Sequence, residues 1–314
     1  MTRLTKGMIA GIDRNIASYD KELEQMTGFN LRHIAARAAG MTEEVASIHF
    51  KSEYVAVVPV TAGVGAIEGF PQAVKGILDY LGCPSFITEN ADVSGLAEGI
   101  EKGAGIVFLA DDNRYVAIHL HRRIIIDNDR ATGWGYAIAL DSLAGGLKGR
   151  EVLLIGAGKV GTHALRALSH LGAEVGIFDI DLAKSRSLAQ EYTMCFEEDL
   201  ADALSRYTLL YDASPASDII RLEHIRPDTA VAACGIPLGL SKKAKALAHG
   251  RLIHDPLELG TATMLTMAVQ DASAANKRGA DRNDRIDPKS MKPGATPGLP
   301  AKSTVREKPR SRKT

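Results

Sequence analysis

The residues with the clearest chemical potential are Gly156, Gly158 and Gly161, spaced G-x-G-x-x-G directly after the apolar run Glu151–Ile155. Between a buried strand and a helix, such a turn brings a dinucleotide's pyrophosphate against backbone N–H groups. The first glycine permits the tight turn, the second the close approach, and the third lets the helix pack on the strand. Eighteen residues past Gly161 a second apolar run, Glu174–Phe178, ends at Asp179. A carboxylate there accepts hydrogen bonds from ribose hydroxyls and repels a 2′-phosphate. Ile180 and Asp181 bring no cation, so NAD is favoured over NADP. The competing readings are a turn that binds FAD, S-adenosylmethionine or nothing.

Two later strand ends carry Asp212-Ala-Ser214-Pro215 and Cys234-Gly235-Ile236-Pro237. Small residues at that edge line the nicotinamide side of a dinucleotide cleft, although Ser-Pro and Gly-x-Pro also make ordinary turns. Cys234 has no neighbouring His or helix start to activate it and reads as a core thiol. The candidate cofactor contacts are thus Gly156, Gly158, Lys159, Val160, Gly161 and Asp179, with Ser214, Pro215, Cys234, Gly235 and Ile236. Asp255 and Thr261, around the last strand end and the helix after it, complete the set. Hydride transfer also needs a group that manages a proton. Asp111 and Asp112 end the run Gly105–Ala110, where an acid could hold an ammonium or merely cap the next turn. His119 and His121 would share a strand face, but no third ligand stands at usable spacing, so no metal is expected.

The elements that must position these residues alternate. Residues 6–27 carry Ile9, Ile12, Ile16, Tyr19, Leu23 and Met26 on one helical stripe, ended by Gly28. Left exposed, that stripe would suit a homodimer. A short helix fits Leu31–Ala39, a strand Tyr54–Val60, a helix Pro71–Leu81, and strands Ser85–Thr88 and Gly105–Ala110. This order implies parallel pairing, with Thr61-Ala62-Gly63, Asp92-Val-Ser94-Gly95 and Asp111-Asp112 at the ligand-bearing edge. Thr132–Tyr136 leads into a connecting helix near Ala137–Leu147. The fold class is α/β, with an α/β domain over 1–130, a connector over 131–147 and a doubly wound dinucleotide-binding domain over 148–270.

At about 150 residues per domain, 314 residues fit two domains. Lys+Arg and Asp+Glu both number 38, which gives no global electrostatic case for a nucleic-acid partner. There is no apolar run of about 18 residues, so a membrane span is not expected. The N-terminus lacks a signal-peptide core, and Cys83, Cys195 and Cys234 read as buried thiols of a cytoplasmic protein. The last 44 residues hold twelve Lys/Arg against five Asp/Glu and five of the twelve prolines, and read as a disordered basic tail.

A set of short fragments in this order is more specific than any one of them. It comprises Val58-Pro-Val60-Thr61-Ala62-Gly63-Val-Gly65, Asp92-Val-Ser94-Gly95, Ala110-Asp111-Asp112, Gly158-Lys159-Val160-Gly161, Gly235-Ile236-Pro237 and Pro256-Leu-Glu-Leu-Gly260-Thr261-Ala-Thr-Met-Leu265. Together they closely resemble the pyrrolysine synthase family, from about Leu4 to about Val269. The resemblance implies NAD-dependent oxidation of a small molecule, L-lysine-Nε-3-methyl-D-ornithine, with ammonia release and closure of a pyrroline ring. It implies that Asp111 is the cleft acid, and that an N-terminal helix beginning at Leu4-Thr5 folds over the substrate. The loop Val60-Thr61-Ala62-Gly63 would touch the substrate. The chain departs from the family's pattern at Ala62, Asp255 and Leu259, which stand where that pattern has Ser, Glu and Ile. The alternatives are a dipicolinate-synthase-like or methylene-tetrahydrofolate-dehydrogenase-like oxidoreductase, or a non-catalytic NAD-binding regulator.

Overall fold

The computed structural model describes residues 4–61 and 67–270. The tail from 271, and Ala62 and Gly63 of the loop expected to touch substrate, lie outside the described residues. Two sheets organise the chain. The first has strands β1 (Val55–Val58), β2 (Ser85–Ile87), β3 (Ile106–Ala110), β4 (Tyr115–His119) and β5 (Ile124–Asp127), in the order β2-β1-β3-β4-β5. The second has β6 (Glu151–Ile155), β7 (Glu174–Phe178), β8 (Cys195–Phe196), β9 (Leu209–Asp212), β10 (Ala230–Ala233) and β11 (Leu252–Ile253), in the order β11-β10-β9-β6-β7-β8.

The second sheet is parallel throughout, with Ile155 level with Phe178 on one side and Asp212 on the other. Its strands alternate between two cores, as side chains of period two must. Leu154, Tyr211 and Ala232 face a large core shared with the first sheet and the N-terminal helices, whereas Leu153, Leu210 and Val231 face a smaller one. This is the doubly wound α/β arrangement. The first sheet differs from the expected parallel pairing: β1, β2 and β3 are parallel, but β4 and β5 return as an antiparallel meander. The four-residue turn Asp111–Arg114 is too short for a crossover, which antiparallel pairing does not need.

Further expectations are corrected. The 6–27 stripe is two helices, Lys6–Ile9 and Ile12–Thr27, broken at Gly11, whose φ of 83° leaves the helical region. The connecting helix runs Asn128–Leu143 and takes in Thr132–Tyr136. Its glycines serve packing: a Cβ on Gly133 would lie 2.7 Å from His163 Cβ, and one on Gly135 2.6 Å from Thr263 Oγ1. Asp92–Gly95 opens a helix, Asp92–Glu101, rather than forming only a strand-end loop. The apolar stripe itself is consumed internally, since Ile9, Ile12, Ile16 and Leu23 are buried in the shared core. It therefore offers no free face of the kind the dimer argument needed. Of the cysteines, Cys83 is buried, Cys234 half-buried and Cys195 exposed, contrary to the expectation of three buried thiols.

Candidate active site

The glycine turn has the geometry its spacing requires. Gly156 has φ 98° and donates its N–H to Phe178 O at 2.8 Å. A Cβ on Gly161 would stand 1.9 Å from Gly156 O, whereas one on Gly158 would meet nothing within 4 Å. The third glycine is thus demanded by the protein's own packing, and the second leaves room for a ligand. Gly158 caps the helix Lys159–His170 without a side-chain hydrogen bond, so backbone N–H groups at that end remain for an anion. Asp179, half-exposed at the end of β7, accepts Ala157 N at 2.6 Å and Asp181 N at 2.9 Å. These residues fit a dinucleotide: an open cradle, a helix N-terminus and a carboxylate tied to the turn.

The nicotinamide-side candidates come together beside it. Asp212 O accepts Cys234 N at 2.9 Å and Gly235 N at 3.1 Å. Ser214 is buried, with its hydroxyl on Asp212 Oδ1 at 2.7 Å. The Cys234 thiol is pushed up to about 12 by burial, so it stays protonated and inert although the residue as a whole is only half-buried. Thr261 is fully buried in the helix Glu258–Val269 and pairs with Tyr115 Oη at 3.0 Å.

Asp255 is also buried, 5% exposed, and its Oδ2 receives two phenols, Tyr19 Oη and Tyr136 Oη, each at 2.7 Å. Leu259 N donates to Oδ1 at 3.1 Å. The adjacent Glu258, 6% exposed, has its carboxyl pushed up to about 8, first by burial and then by the Asp255 carboxylate. Sequence reasoning missed Tyr19 and Tyr136 as partners of Asp255, because Tyr19 reads as one more member of an apolar stripe.

Asp111 is exposed at the end of β3 and caps the β3–β4 turn. Its Oδ1 accepts Asn113 N and Arg114 N, both at 2.7 Å, and these bonds hold its carboxyl below the usual range. The turn is tied toward the glycine loop. Arg114 donates through Nε (3.0 Å) and Nη2 (2.8 Å) to Asp127 Oδ2, and Asp127 caps the helix Asn128–Leu143. In that helix's first turn Asp129 lies 4.0 Å from Lys159 Nζ. Arg114, Asp127 and Asp129 were not singled out in the sequence; an Asp-x-Asp pair at a helix start was the available signal.

Thr61, exposed after the half-buried Val60, donates its N–H to Asp92 Oδ1 at 2.8 Å and its hydroxyl to Asp92 Oδ2. Leu4 is buried and Thr5 exposed at the N-cap of the first helix. A cavity of about 250 Å³ between Lys6–Asp13 and Glu68–Ala73 contains none of the predicted site residues. Among the described residues no three His, Cys, Asp or Glu gather as a metal site, and no helix is long and apolar enough to cross a membrane.

Residues 8–126 match the family described as "Pyrrolysine biosynthesis protein PylD, N-terminal domain", and residues 136–220 match "Alanine dehydrogenase/PNT, C-terminal domain". Over 266 residues the chain is 30% identical to the pyrrolysine synthase of Methanosarcina acetivorans, covering 84% of this chain and 98% of that one. The chain belongs to the pyrrolysine synthase family. The pyrrolysine synthase of Methanosarcina barkeri is 29% identical over 268 residues, 84% of this chain and 97% of that one. Among solved structures, shikimate dehydrogenase from Aquifex aeolicus superposes with a TM-score of 0.47 at 16% identity, over 69% of this chain and 89% of that one. As a member of the pyrrolysine synthase family with this glycine turn, the chain is an enzyme of pyrrolysine biosynthesis, a dehydrogenase that works with a nicotinamide cofactor.

Proposed function

We propose that the enzyme oxidises the ornithine side-chain primary amine of L-lysine-Nε-3-methyl-D-ornithine, using NAD, in the cytoplasm. The observation that carries this reading is the end-to-end likeness to pyrrolysine synthases, 98% of one relative's length, joined to an anionic Asp111 on a turn tied toward the glycine loop. The cofactor, when bound, accepts hydride from the carbon bearing the amine. A protonated amine has no lone pair to assist that departure, so it must first lose a proton. Asp111 is suited to pair with the ammonium, because its turn N–H bonds keep it a carboxylate. The same bonds make it a weak base, so the proton passes through it rather than resting there; displacing water on substrate binding strengthens that base. The resulting iminium takes up water and releases ammonia, leaving an aldehyde. The ornithine α-amine attacks the aldehyde carbon, and water leaves as the ring C=N forms.

Leu4, Thr5, Val60, Thr61, Ala62 and Gly63 are proposed to bind the substrate. Asp179, with Ile180 and Asp181 beside it, favours NAD over NADP. Mass spectrometry of the conjugate incubated with NAD tests the reaction: the product must lose one ammonia and two hydrogens, and an unchanged mass rejects it. Asp111→Asn should reduce turnover at least ~100-fold, a typical contribution from a positioned acid or base, while NADH still binds. Turnover within twofold of the parent would remove Asp111 from the chemistry.

A further inference from the structure

Asp212 is a buried carboxyl that the reaction outlined above does not use. It ends β9, level with Ile155 of β6, where the strand order of the parallel sheet reverses direction. A crevice at that point receives the dinucleotide, with the glycine turn on one side and the loops after β9 and β10 on the other.

Its side chain is fully buried and joins those loops. Oδ1 accepts both Ser214 N (2.9 Å) and Ser214 Oγ (2.7 Å), which curls the loop after β9 back on itself. Oδ2 lies against the loop after β10: a Cβ added to Gly239 would sit 2.1 Å from it. The backbone completes the tie. Asp212 O accepts Cys234 N and Gly235 N, and Ala213 N donates to Ile155 O at 2.8 Å. A Cβ on Gly235 would be 2.0 Å from Ser214 O, so the two loops are in direct contact. Burial lifts the carboxyl to about 6, opposed by the Ser214 hydroxyl and N–H. A group that costs this much to bury is retained here between two loops that line a ligand crevice.

We propose that Asp212 is a positioning residue that holds the loops Ala213–Pro215 and Cys234–Gly239 in one register, and thereby shapes the face that receives the nicotinamide end of the cofactor. It acts through Ser214 and Gly239 and does not itself touch the reacting atoms. The proposal rests on the nicotinamide cofactor and is independent of which amine is oxidised, so its test needs no substrate.

The full-length protein is titrated with NADH, following the nicotinamide emission, and separately with ADP-ribose, which lacks the nicotinamide. Asp212→Ala removes the tie, and Gly239→Ala displaces Oδ2 from the opposite side. Both should weaken NADH about tenfold and return its emission toward that of free NADH, while ADP-ribose affinity stays within twofold. Asp212→Asn, which keeps an oxygen to accept from Ser214, should restore both readouts. The proposal is overturned if ADP-ribose weakens as much as NADH, or if a folded Asp212→Ala or Gly239→Ala protein keeps the parent emission and affinity. It is equally overturned if Asp212→Asn, the mildest of the three and the one that keeps the Ser214 bonds, has lost the nicotinamide signal.

Discussion

Replacing Glu258 by Gln should make the protein more stable in alkali and leave it nearly unchanged in mild acid. Glu258 is 6% exposed at the start of the helix Glu258–Val269, and its carboxyl releases a proton near pH 8 in place of the usual 4.5. Burial is the first cause and the Asp255 carboxylate the second. A raised carboxyl stabilises the fold fully below the unfolded value, and that contribution is lost as pH rises toward the folded one. Between pH 5 and pH 9 the loss amounts to roughly 4 kcal/mol at 1.36 kcal/mol per pH step. Gln cannot ionise, so the substitution recovers at least about half of that loss, ~2 kcal/mol. Gln has the shape of the protonated acid, and its oxygen can keep the Leu257 N bond, 3.1 Å in the parent. Thermal melts of the two proteins should coincide near pH 5 and separate by about 4–8 °C at pH 9, with Glu258→Gln the higher. Parallel curves across that range would refute the argument, because they would mean that Glu258 titrates as an exposed acid does.

Two other substitutions test how the site is built. Gly161→Ala drives a methyl to 1.9 Å from Gly156 O, a backbone atom that cannot step aside without opening the turn. It should cost about 1–3 kcal/mol of stability and weaken NADH at least ~10-fold, read by denaturant melts and fluorescence titration. Tyr19→Phe deletes one of the two phenols on Asp255 Oδ2 and should destabilise by about 1.5–3 kcal/mol, seen as a lower urea midpoint at unchanged slope.

The glycine turn was legible because its signal is local: β6 and β7 are five-residue apolar runs, each closing on residues of the turn or on Asp179. The β4–β5 meander was not, because Tyr115–His119 and Ile124–Asp127 are short apolar runs whose composition does not say that β4 returns antiparallel on β3 and β5 on β4. The helix Asn128–Leu143 was read as starting late because glycine is a poor helix former. Gly133 and Gly135 are there for neighbours that come from His163 and Thr263, far along the chain. The same distance hid the buried acid site, since Tyr19 and Asp255 are separated by 236 positions. Asp111 was singled out by its place at a strand end, but Arg114 and Asp127, which anchor its turn, required the hairpin to be known.

The helix Glu258–Val269 explains why the two sheets hold one arrangement. All twelve of its residues are buried, so it has no solvent face and must be enclosed on every side. Thr261 bonds Tyr115 of the first sheet, Gly260 and Thr263 sit against the connecting helix, and Arg122 Nη1 closes its far end on Val269 O (2.7 Å) and Gln270 O (2.9 Å). Close contacts at glycine leave little room to slide, because interiors at this packing density resist continuous deformation. The helix Ile12–Thr27 is fastened at Tyr19 to Asp255 and at Asp13 against Gly76. Lys6–Ile9, beyond the break at Gly11, keeps Ile9 in the core, and its added polar tie is a Lys6–Glu68 pair in which both side chains are mostly exposed. Such a pair contributes about 0–1 kcal/mol. The first short helix is thus held by the burial of Leu4 and Ile9 more than by polar contacts, whereas the long helix adds the buried Tyr19–Asp255 hydrogen bond.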